Sequence, residues 1–252
     1  MPTPGEAAAD RKVHEITGED RETFLQGLVT NDIRRLSQGL VYAAMLSPQG
    51  KYLADFLLVP AGDRILLDVH ESVSEELVRR LAMYRLRADV RIAPSSLQVS
   101  RGLGPAPAGA FADPRHPALG WRLYAAEPGG ATSIDWDRIR VDHCIPETGI
   151  ELIPEETYIL EAGFERLHGV DFRKGCYVGQ EVTARMKHKT ELRKGLVTVA
   201  VDGAAPVGSE ILAGGKPAGR IFTQSGGRGI AWLRFDRAEE AMQAGDARIT
   251  MP

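Results

Sequence analysis

The chain has 252 residues, a formal net charge of -3 and a hydrophobic fraction of 43%. A chain of this length can bury a sizeable core in one or two domains, and the small net charge gives no general attraction to nucleic acid or to an anionic membrane. No apolar run approaches the ~20 residues that a membrane-spanning helix needs. The first ten residues are small and acidic and resemble neither a secretory signal nor a basic transit peptide. We therefore expect a protein of the bacterial cytoplasm, or of the mitochondrial matrix if the source is eukaryotic.

The first half of the chain has the pattern of an α+β domain. A helix is predicted within residues 13–33, where Thr17 and Asp20 resemble a cap and Phe24, Leu25 and Leu28 form an apolar stripe. A second helix is predicted at about 74–87, with Ser72 as its capping residue. Strand-like runs separated by turn residues are predicted at 41–46, 52–59, 64–69, 90–92 and 97–100.

The second half begins with a stretch at 102–117 that is rich in proline, glycine and alanine and is predicted to be a loop or linker. A strand at 120–126 and a helix at 134–143 follow. From residue 194 onward, short β-branched runs alternate with glycine-rich turns, which is typical of a small β-barrel. Its strands are predicted at 196–201, 210–212, 220–223 and 229–235. We place the domain boundary near residue 190, which separates an α+β domain (1–190) from a C-terminal barrel (191–252).

Cysteine content limits what the chain can bind. Its two cysteines, Cys144 and Cys176, are too few for a disulfide framework. An iron–sulfur cluster ordinarily takes about four thiolates, so the chain cannot hold a standard cluster alone. The histidines show no paired spacing, and we predict no metal site.

One stretch, residues 172–181, combines a basic pair, two glycines, a thiol and an aromatic ring. Apolar residues at every fourth position predict a helix over 178–188, which puts Cys176 just before its first turn. Unpaired N–H groups and the helix dipole favour an anion there, and Arg173 and Lys174 add positive charge, so both effects favour a reactive thiolate. The alternative is that Cys176 is a small buried hydrophobe, and these residues alone leave both interpretations open.

This stretch resembles the signature of the YgfZ-type folate-binding proteins, whose relatives include mitochondrial iron–sulfur assembly factors. The signature consists of Lys174, Gly175, Cys176, Tyr177, Val178, Gly179, Gln180 and Glu181, followed by Arg185. Residues 24–32 and 46–55 resemble other segments of the family. The glycine-cleavage aminomethyltransferases are more distant relatives. The resemblance implies two interleaved α+β subdomains and a C-terminal β-barrel, arranged around a central channel that holds tetrahydrofolate.

The resemblance also implies folate contacts at Asp55, Asp142 and Tyr177. Aminomethyltransferases carry adjacent aspartates where this chain has Ala54 and Asp55, so the catalytic pair is incomplete. Aminomethyltransferases also carry an acid that hydrogen-bonds the pterin ring, and Asp142 lies at the matching position. A carboxylate suits this role because it can accept two parallel N–H bonds. The alternative for Asp142 is a solvent-facing position on a helix.

The resemblance implies a folate-binding accessory protein that supports assembly or repair of iron–sulfur clusters in client enzymes, including RNA-modifying enzymes. Cys176 would act as a thiolate stabilised by Lys174, and its role as nucleophile, redox thiol or transient cluster ligand stays open. The alternatives are a folate-dependent aminomethyl-type transferase, which the incomplete aspartate pair disfavours, and a thiol redox or RNA-binding module. The expected partners are folate and iron–sulfur client or assembly proteins. The basic run at 185–189 is interpreted as a solvated face, so direct nucleic-acid binding is not expected.

Overall fold

A computed structural model describes residues 3–188, 192–238 and 241–251. The chain divides into two units, each built from two separate segments. The first unit comprises Met1–Ser133 and Glu165–Val182, and the second comprises Ile134–Phe164 and Thr183–Pro252. The α+β and barrel parts are therefore interleaved along the sequence. The predicted boundary near residue 190 and the end of the basic run at Lys189 lie outside the described residues, and the boundary stays a prediction.

The first unit contains two antiparallel sheets. Its strands, in chain order, are β1 (Glu6–Ala7), β2 (Arg11–Thr17), β3 (Val41–Leu46), β4 (Tyr52–Ala61), β5 (Arg64–His70), β6 (Arg91–Pro94), β7 (Gln98–Gly102), β8 (Phe111–Ala112) and β9 (Trp121–Ala125). Its helices are α1 (Arg21–Gln26) and α2 (Glu71–Tyr84), with 3-10 turns at Ile33–Gln38 and Pro117–Leu119. The larger sheet has the order β3-β4-β5-β2-β6 and the smaller one β1-β7-β9-β8. The hydrophobic core lies on the larger sheet, where every residue of β3 is buried.

The predicted helix within 13–33 is wrong over its first residues, which form β2. This segment pairs with β5 on one side and with β6 on the other. Two ladders of main-chain hydrogen bonds outweigh a weak helical pattern, and Val13 and Ile16 enter the core as strand residues. The helix is confined to α1, where Leu25 is its buried residue.

Helix α2 begins three residues before its predicted start, and its capping residue is His70 rather than Ser72. The His70 Nδ1 accepts a hydrogen bond of 3.2 Å from the Ser72 N–H. Val73, Leu77 and Leu81 are buried, as the helical spacing requires. The strands predicted at 41–46, 52–59 and 64–69 are confirmed within a few residues as β3, β4 and β5.

The stretch predicted as a loop or linker at 102–117 lies within the first unit. It contains β8, which pairs with β9, and its Asp113 is buried. It is therefore a loop within one unit and not a linker between domains, with Asp113 in the interior of that unit.

The second unit contains a closed barrel, which confirms the predicted C-terminal architecture. The barrel strands are β10 (Lys194–Asp202), β11 (Glu210–Ala213), β12 (Lys216–Ser225), β13 (Arg228–Arg234), β14 (Met242–Ala244) and β15 (Ala247–Thr250), and the helices are α3 (Trp136–His143) and α4 (Gln180–His188), which starts in the first unit. The strands close in the order β10-β13-β12-β11-β14-β15 around an aliphatic core. Among the described residues, none of the helices is both long and apolar enough to span a bilayer.

Candidate functional site

The signature loop, residues 172–179, presents an exposed thiol. Helix α4 begins at Gln180, two residues later than predicted, so Cys176 precedes the first helical residue by four positions. The placement just before the first turn is therefore wrong, and the helix dipole, whose effect falls off within one turn, does not account for a thiolate here. Cys176 is exposed, so it is not a core hydrophobe.

Lys174, in contrast, is buried at 4% exposure. Its ammonium donates hydrogen bonds to the main-chain carbonyls of Gln26 at 2.8 Å, Asn31 at 3.0 Å and Val29. An ammonium has three N–H donors, and all three are used here. Burial lowers the pKa of Lys174 to about 8. The Tyr177 ring, which is also buried, lies with its centroid 5.1 Å from the Lys174 Nζ.

The segment that precedes the signature loop is held by buried polar side chains from the turn after α1. Thr30 Oγ1 donates to the Gly169 carbonyl at 2.7 Å, and Asn31 Nδ2 donates to the His168 carbonyl at 2.6 Å. The Asp171 N–H returns a bond of 3.0 Å to the Thr30 carbonyl. Since buried polar groups are costly to leave unpaired, these reciprocal bonds fix one stretch of chain against the other.

Asp171 anchors the start of the loop through charge. Its carboxylate accepts hydrogen bonds from the Arg173 N–H at 2.8 Å and from Arg35 Nη2 at 2.6 Å. Burial opposes ionisation, but these two donors outweigh it and hold the pKa of Asp171 below its usual value. The carboxylate is therefore ionised at neutral pH and stabilises the turn that leads to Lys174.

The end of the loop packs against the turn between β3 and β4. Gly179 has a φ of +83°, and a Cβ built on it would lie 2.5 Å from the Ser47 carbonyl oxygen. Gly50, with a φ of +75°, meets Val182 of α4 in the same way, at 2.7 Å. Neither position accepts a side chain, because both the backbone conformation and the space exclude it. Gly175 differs, since its φ is not positive and a Cβ there would meet nothing within 4 Å.

The remaining signature residues lie at the loop end and on α4. The Gln180 N–H donates to the Tyr177 carbonyl at 3.2 Å. Glu181 and Arg185 are exposed, with Glu181 in the first turn and Arg185 in the last. This order of charges suits the helix dipole, so the structure gives these two side chains an ordinary role in the helix.

Asp55, a predicted folate contact, is buried in β4 at 4% exposure. Its carboxylate oxygens accept hydrogen bonds from the hydroxyls of Tyr42 at 3.0 Å and Tyr52 at 2.7 Å. Burial, together with the Asp55 charge, raises the pKa of Tyr42 well above its ordinary value. Tyr42 therefore stays protonated, and the hydroxyls of both tyrosines donate to Asp55.

Asp142, the predicted pterin carboxylate, belongs to α3 in the second unit. Its Oδ2 accepts from Arg138 Nε at 2.8 Å and its Oδ1 from Arg228 Nη1 at 2.9 Å. The hydrogen bond from Arg138, with support from Arg228, lowers the pKa of Asp142. The side chain is 27% exposed. Of the predicted site residues, the structure thus brings Lys174 and Tyr177 together and places Asp142 in a different unit.

A buried ion network in the first unit was not predicted from the sequence. Asp68 accepts from Arg11 Nε at 2.6 Å and pairs with Arg122 Nη1 at 3.1 Å, and Asp113 pairs with Arg122 Nε at 2.9 Å and with Arg115 Nη2 at 2.8 Å. The network joins the two sheets. The available sequence signals were an arginine inside the apolar strand β9 and the Asp-Pro-Arg order after β8.

A second buried ion pair ties α3 to the barrel. Arg140 Nη2 donates to Glu151 Oε2 at 2.6 Å, while Glu151 Oε1 accepts the Thr223 hydroxyl of β12 at 2.6 Å. Arg140 Nε also lies 3.1 Å from Glu147. Because breaking a buried pair leaves an uncompensated charge, this cluster fixes the position of the helix that carries Asp142.

Comparison with known proteins assigns this chain to a family. Residues 193–252 match the family model described as the CAF17 C-terminal beta-barrel domain. The chain is 32% identical to the human iron–sulfur cluster assembly factor IBA57, mitochondrial, over 92% of this chain and 79% of that protein. It is 33% identical to the Mycosarcoma maydis homologue over 75% of this chain and 55% of that protein, so it spans about half the length of that relative.

The fold also matches a solved enzyme structure. Aminomethyltransferase T of the glycine cleavage system from Bartonella henselae superposes with a TM-score of 0.75, covering 96% of this chain and 82% of that one, at 13% identity. This likeness concerns the fold alone and confirms the α+β prediction with a C-terminal barrel. On the identity and coverage shared with human IBA57, the chain belongs to the CAF17/IBA57-type family of iron–sulfur cluster assembly factors.

Proposed function

We propose that this protein is an accessory factor that supports assembly or repair of iron–sulfur clusters in client enzymes and that Cys176 is its reacting group. The observation that carries the proposal is an exposed thiol in a loop that the buried side chains of Asp171 and Lys174 hold by hydrogen bonds. A thiol needed only for packing would be buried, as most free cysteines are.

The number of cysteine ligands in the chain favours a cluster that is shared with another protein. The chain has two cysteines, whereas a cluster ordinarily takes about four thiolates. Cys176 is exposed, and Cys144 is half-buried at the end of α3. We therefore propose that the Cys176 thiolate takes one ligand position on an iron while a partner supplies the others. In this ligand exchange the Cys176 thiol gives its proton to solvent and forms a bond to the iron, while the bond from one partner thiolate to that iron breaks and no electron is transferred. The nucleophilic and redox roles of Cys176 are the competing proposals.

The experiment compares Cys176→Ser with Cys144→Ser. Each variant is mixed with a cluster-loaded assembly protein and an apo client, and client activity and cluster absorbance are followed together. We expect Cys176→Ser to lose transfer and Cys144→Ser to retain it. Full transfer by Cys176→Ser would refute the proposal. Formation of a mixed disulfide between Cys176 and the client, without a change in cluster absorbance, would favour the redox role instead.

Tetrahydrofolate is the cofactor that we propose alongside the cluster, and the predicted contacts fit it unequally. Asp142 fits, because a carboxylate has about four lone-pair sites and its two arginine bonds use two of them. Asp55 fits poorly, since it is buried beneath two tyrosine hydroxyls. Tyr177 is also buried. When bound, tetrahydrofolate supplies a one-carbon carrier, and Asp142 would hold its pterin edge.

Titration with tetrahydrofolate tests this part, with the intrinsic fluorescence of Trp121, Trp136 and Trp232 as the reporter. We expect Asp142→Asn to weaken binding, because the amide cannot accept two parallel N–H bonds. Asp202→Asn, at an exposed position on β10, is the matched control. Equal affinities in the two variants would remove Asp142 from the proposal, and no saturable signal in the parent protein would remove folate.

The aminomethyl-type transferase is less well supported as an alternative. Its aspartate pair is reduced to Asp55, whose carboxylate oxygens are bonded to Tyr42 and Tyr52. Turnover of an aminomethyl donor that depends on Asp55 would reverse this ranking. The YgfZ-type assignment within the family and RNA-modifying enzymes as clients are likewise proposals, and activity assays on candidate clients test both.

Two locations are proposed for the protein. The human and Mycosarcoma maydis relatives are named as mitochondrial, which supports the mitochondrial matrix over the bacterial cytoplasm. Fractionation of the source organism, with the protein detected by antibody, decides between the two.

A further inference from the structure

We infer that Lys174 is a positioning residue, whose ammonium fills a cage of three main-chain carbonyl oxygens and thereby holds the loop that presents Cys176. The inference rests on the proposed function for the importance of Cys176. It assigns Lys174 a different role from that of a cation facing the thiolate.

The cage is built from the end of α1 and the turn that follows. The last carbonyls of a helix have no partner within the helix, and a cation near them is favoured by the helix dipole. Gln26 is the last residue of α1, and Val29 and Asn31 lie in the turn beyond. The Lys174 ammonium bonds all three carbonyls and therefore acts as a C-terminal cap brought from more than a hundred residues away in the sequence.

The loop is anchored on both sides of the Cys176 thiol, and the Lys174 ammonium takes part in both anchors. Lys174 lies two residues before Cys176, and the Tyr177 ring that contacts the ammonium lies one residue after it. Lys174 and Tyr177 are both buried, whereas Cys176 is exposed. A side chain between two such anchors keeps its position in solvent without any contact of its own.

A lysine suits this cage better than the other candidate side chains. Its compact ammonium offers three donors, whereas the planar guanidinium of arginine spreads five donors over a rigid fork. A shorter apolar side chain would remove the donor that Lys174 supplies to these three carbonyls, two of which it meets in buried contacts.

Site-directed spin labelling at Cys176, in a Cys144→Ser background, tests the inference without any cluster or client. In Lys174→Ala, we expect the mobile fraction of the label to rise about tenfold, which corresponds to the lower end of the penalty for unsatisfied buried carbonyls. Lys12→Ala, at an exposed position in the same unit, should leave the spectrum unchanged.

Several results would overturn the inference. An unchanged spectrum in Lys174→Ala would do so. If Lys174→Ala does not fold, Lys174→Arg decides, because we expect that variant to fold by circular dichroism with a mobile label, and an immobile label would contradict the cage. The proposed function fails separately, through full cluster transfer by Cys176→Ser.

Discussion

The two glycines of the signature loop allow a matched test of the packing described above. Gly179→Ala places a methyl group at a φ of +83° and 2.5 Å from the Ser47 carbonyl oxygen. The left-handed conformation costs a residue with a side chain roughly 1–2 kcal/mol, and overpacking adds about 1–3 kcal/mol. We therefore expect a loss of about 2–5 kcal/mol in the free energy of unfolding. A Cβ at Gly175 would meet no atom within 4 Å, so Gly175→Ala should stabilise by about 0.4–1 kcal/mol through the unfolded state.

The free energy of unfolding of both variants is measured in urea, with the fluorescence of Trp121 as the signal in a Trp136→Phe, Trp232→Phe background. Trp121 lies in β9 of the first unit, so this signal reports the unit that contains the loop. The alkylation rate of Cys176 provides a second readout, and we expect it to change in Gly179→Ala and not in Gly175→Ala. Equal midpoints for the two alanine variants would refute the argument, because their chemistry is the same and only the surroundings differ.

Three further predictions concern the buried charges. Asp68→Ala should cost about 3–5 kcal/mol, since it removes the carboxylate that pairs with Arg11 and leaves Arg122 with Asp113 alone. Exposed Asp63→Ala should cost under about 0.5 kcal/mol, and urea titrations of both variants test this. The pKa of Asp113 lies well below its usual value, because burial raises it but the neighbouring arginines lower it by more. The resulting contribution to stability is present above the unfolded pKa of about 3.9 and is lost as the pH falls toward the folded value. Asp113→Asn should therefore flatten the acid limb of a plot of unfolding midpoint against pH. Glu151→Gln should lower the melting temperature of the barrel and should be partly rescued by Arg140→Met, as measured in a double-mutant cycle.

The elements that were predicted correctly are those whose own residues decide them. The strand at 41–46 is a continuous apolar run between turns, and the one at 52–59 is interrupted only by Asp55. Such runs have few alternatives to a buried strand. The barrel follows from regular spacing of short β-branched segments. The segment at 13–17 failed, because its pairing with β5 and β6 depends on residues about fifty and eighty positions away, which no local pattern contains.

The candidate site shows the same division. The unusual mixture of residue types around Cys176 led to its prediction as the site, which stays a prediction, and the structure shows that this thiol is exposed. The contacts were not predictable. Lys174 was expected to face the thiol two residues away and instead reaches carbonyls at 26, 29 and 31, which only tertiary structure brings near.

The signature motif therefore contains two kinds of residue, those that fix the main chain and the exposed thiol, and the sequence alone does not distinguish them. Lys174, Tyr177 and Gly179 are each constrained by a buried contact, and every one of these contacts acts on the course of the main chain. Cys176 is constrained by none of them and is the group that solvent or a partner reaches. A protein that exchanges a cluster with a partner needs a thiol that is accessible and yet held in place, since an exposed side chain on a mobile loop loses entropy on every binding event. In the proposed exchange, the cost of ordering this loop is met during folding, by the buried contacts of Lys174, Tyr177 and Gly179.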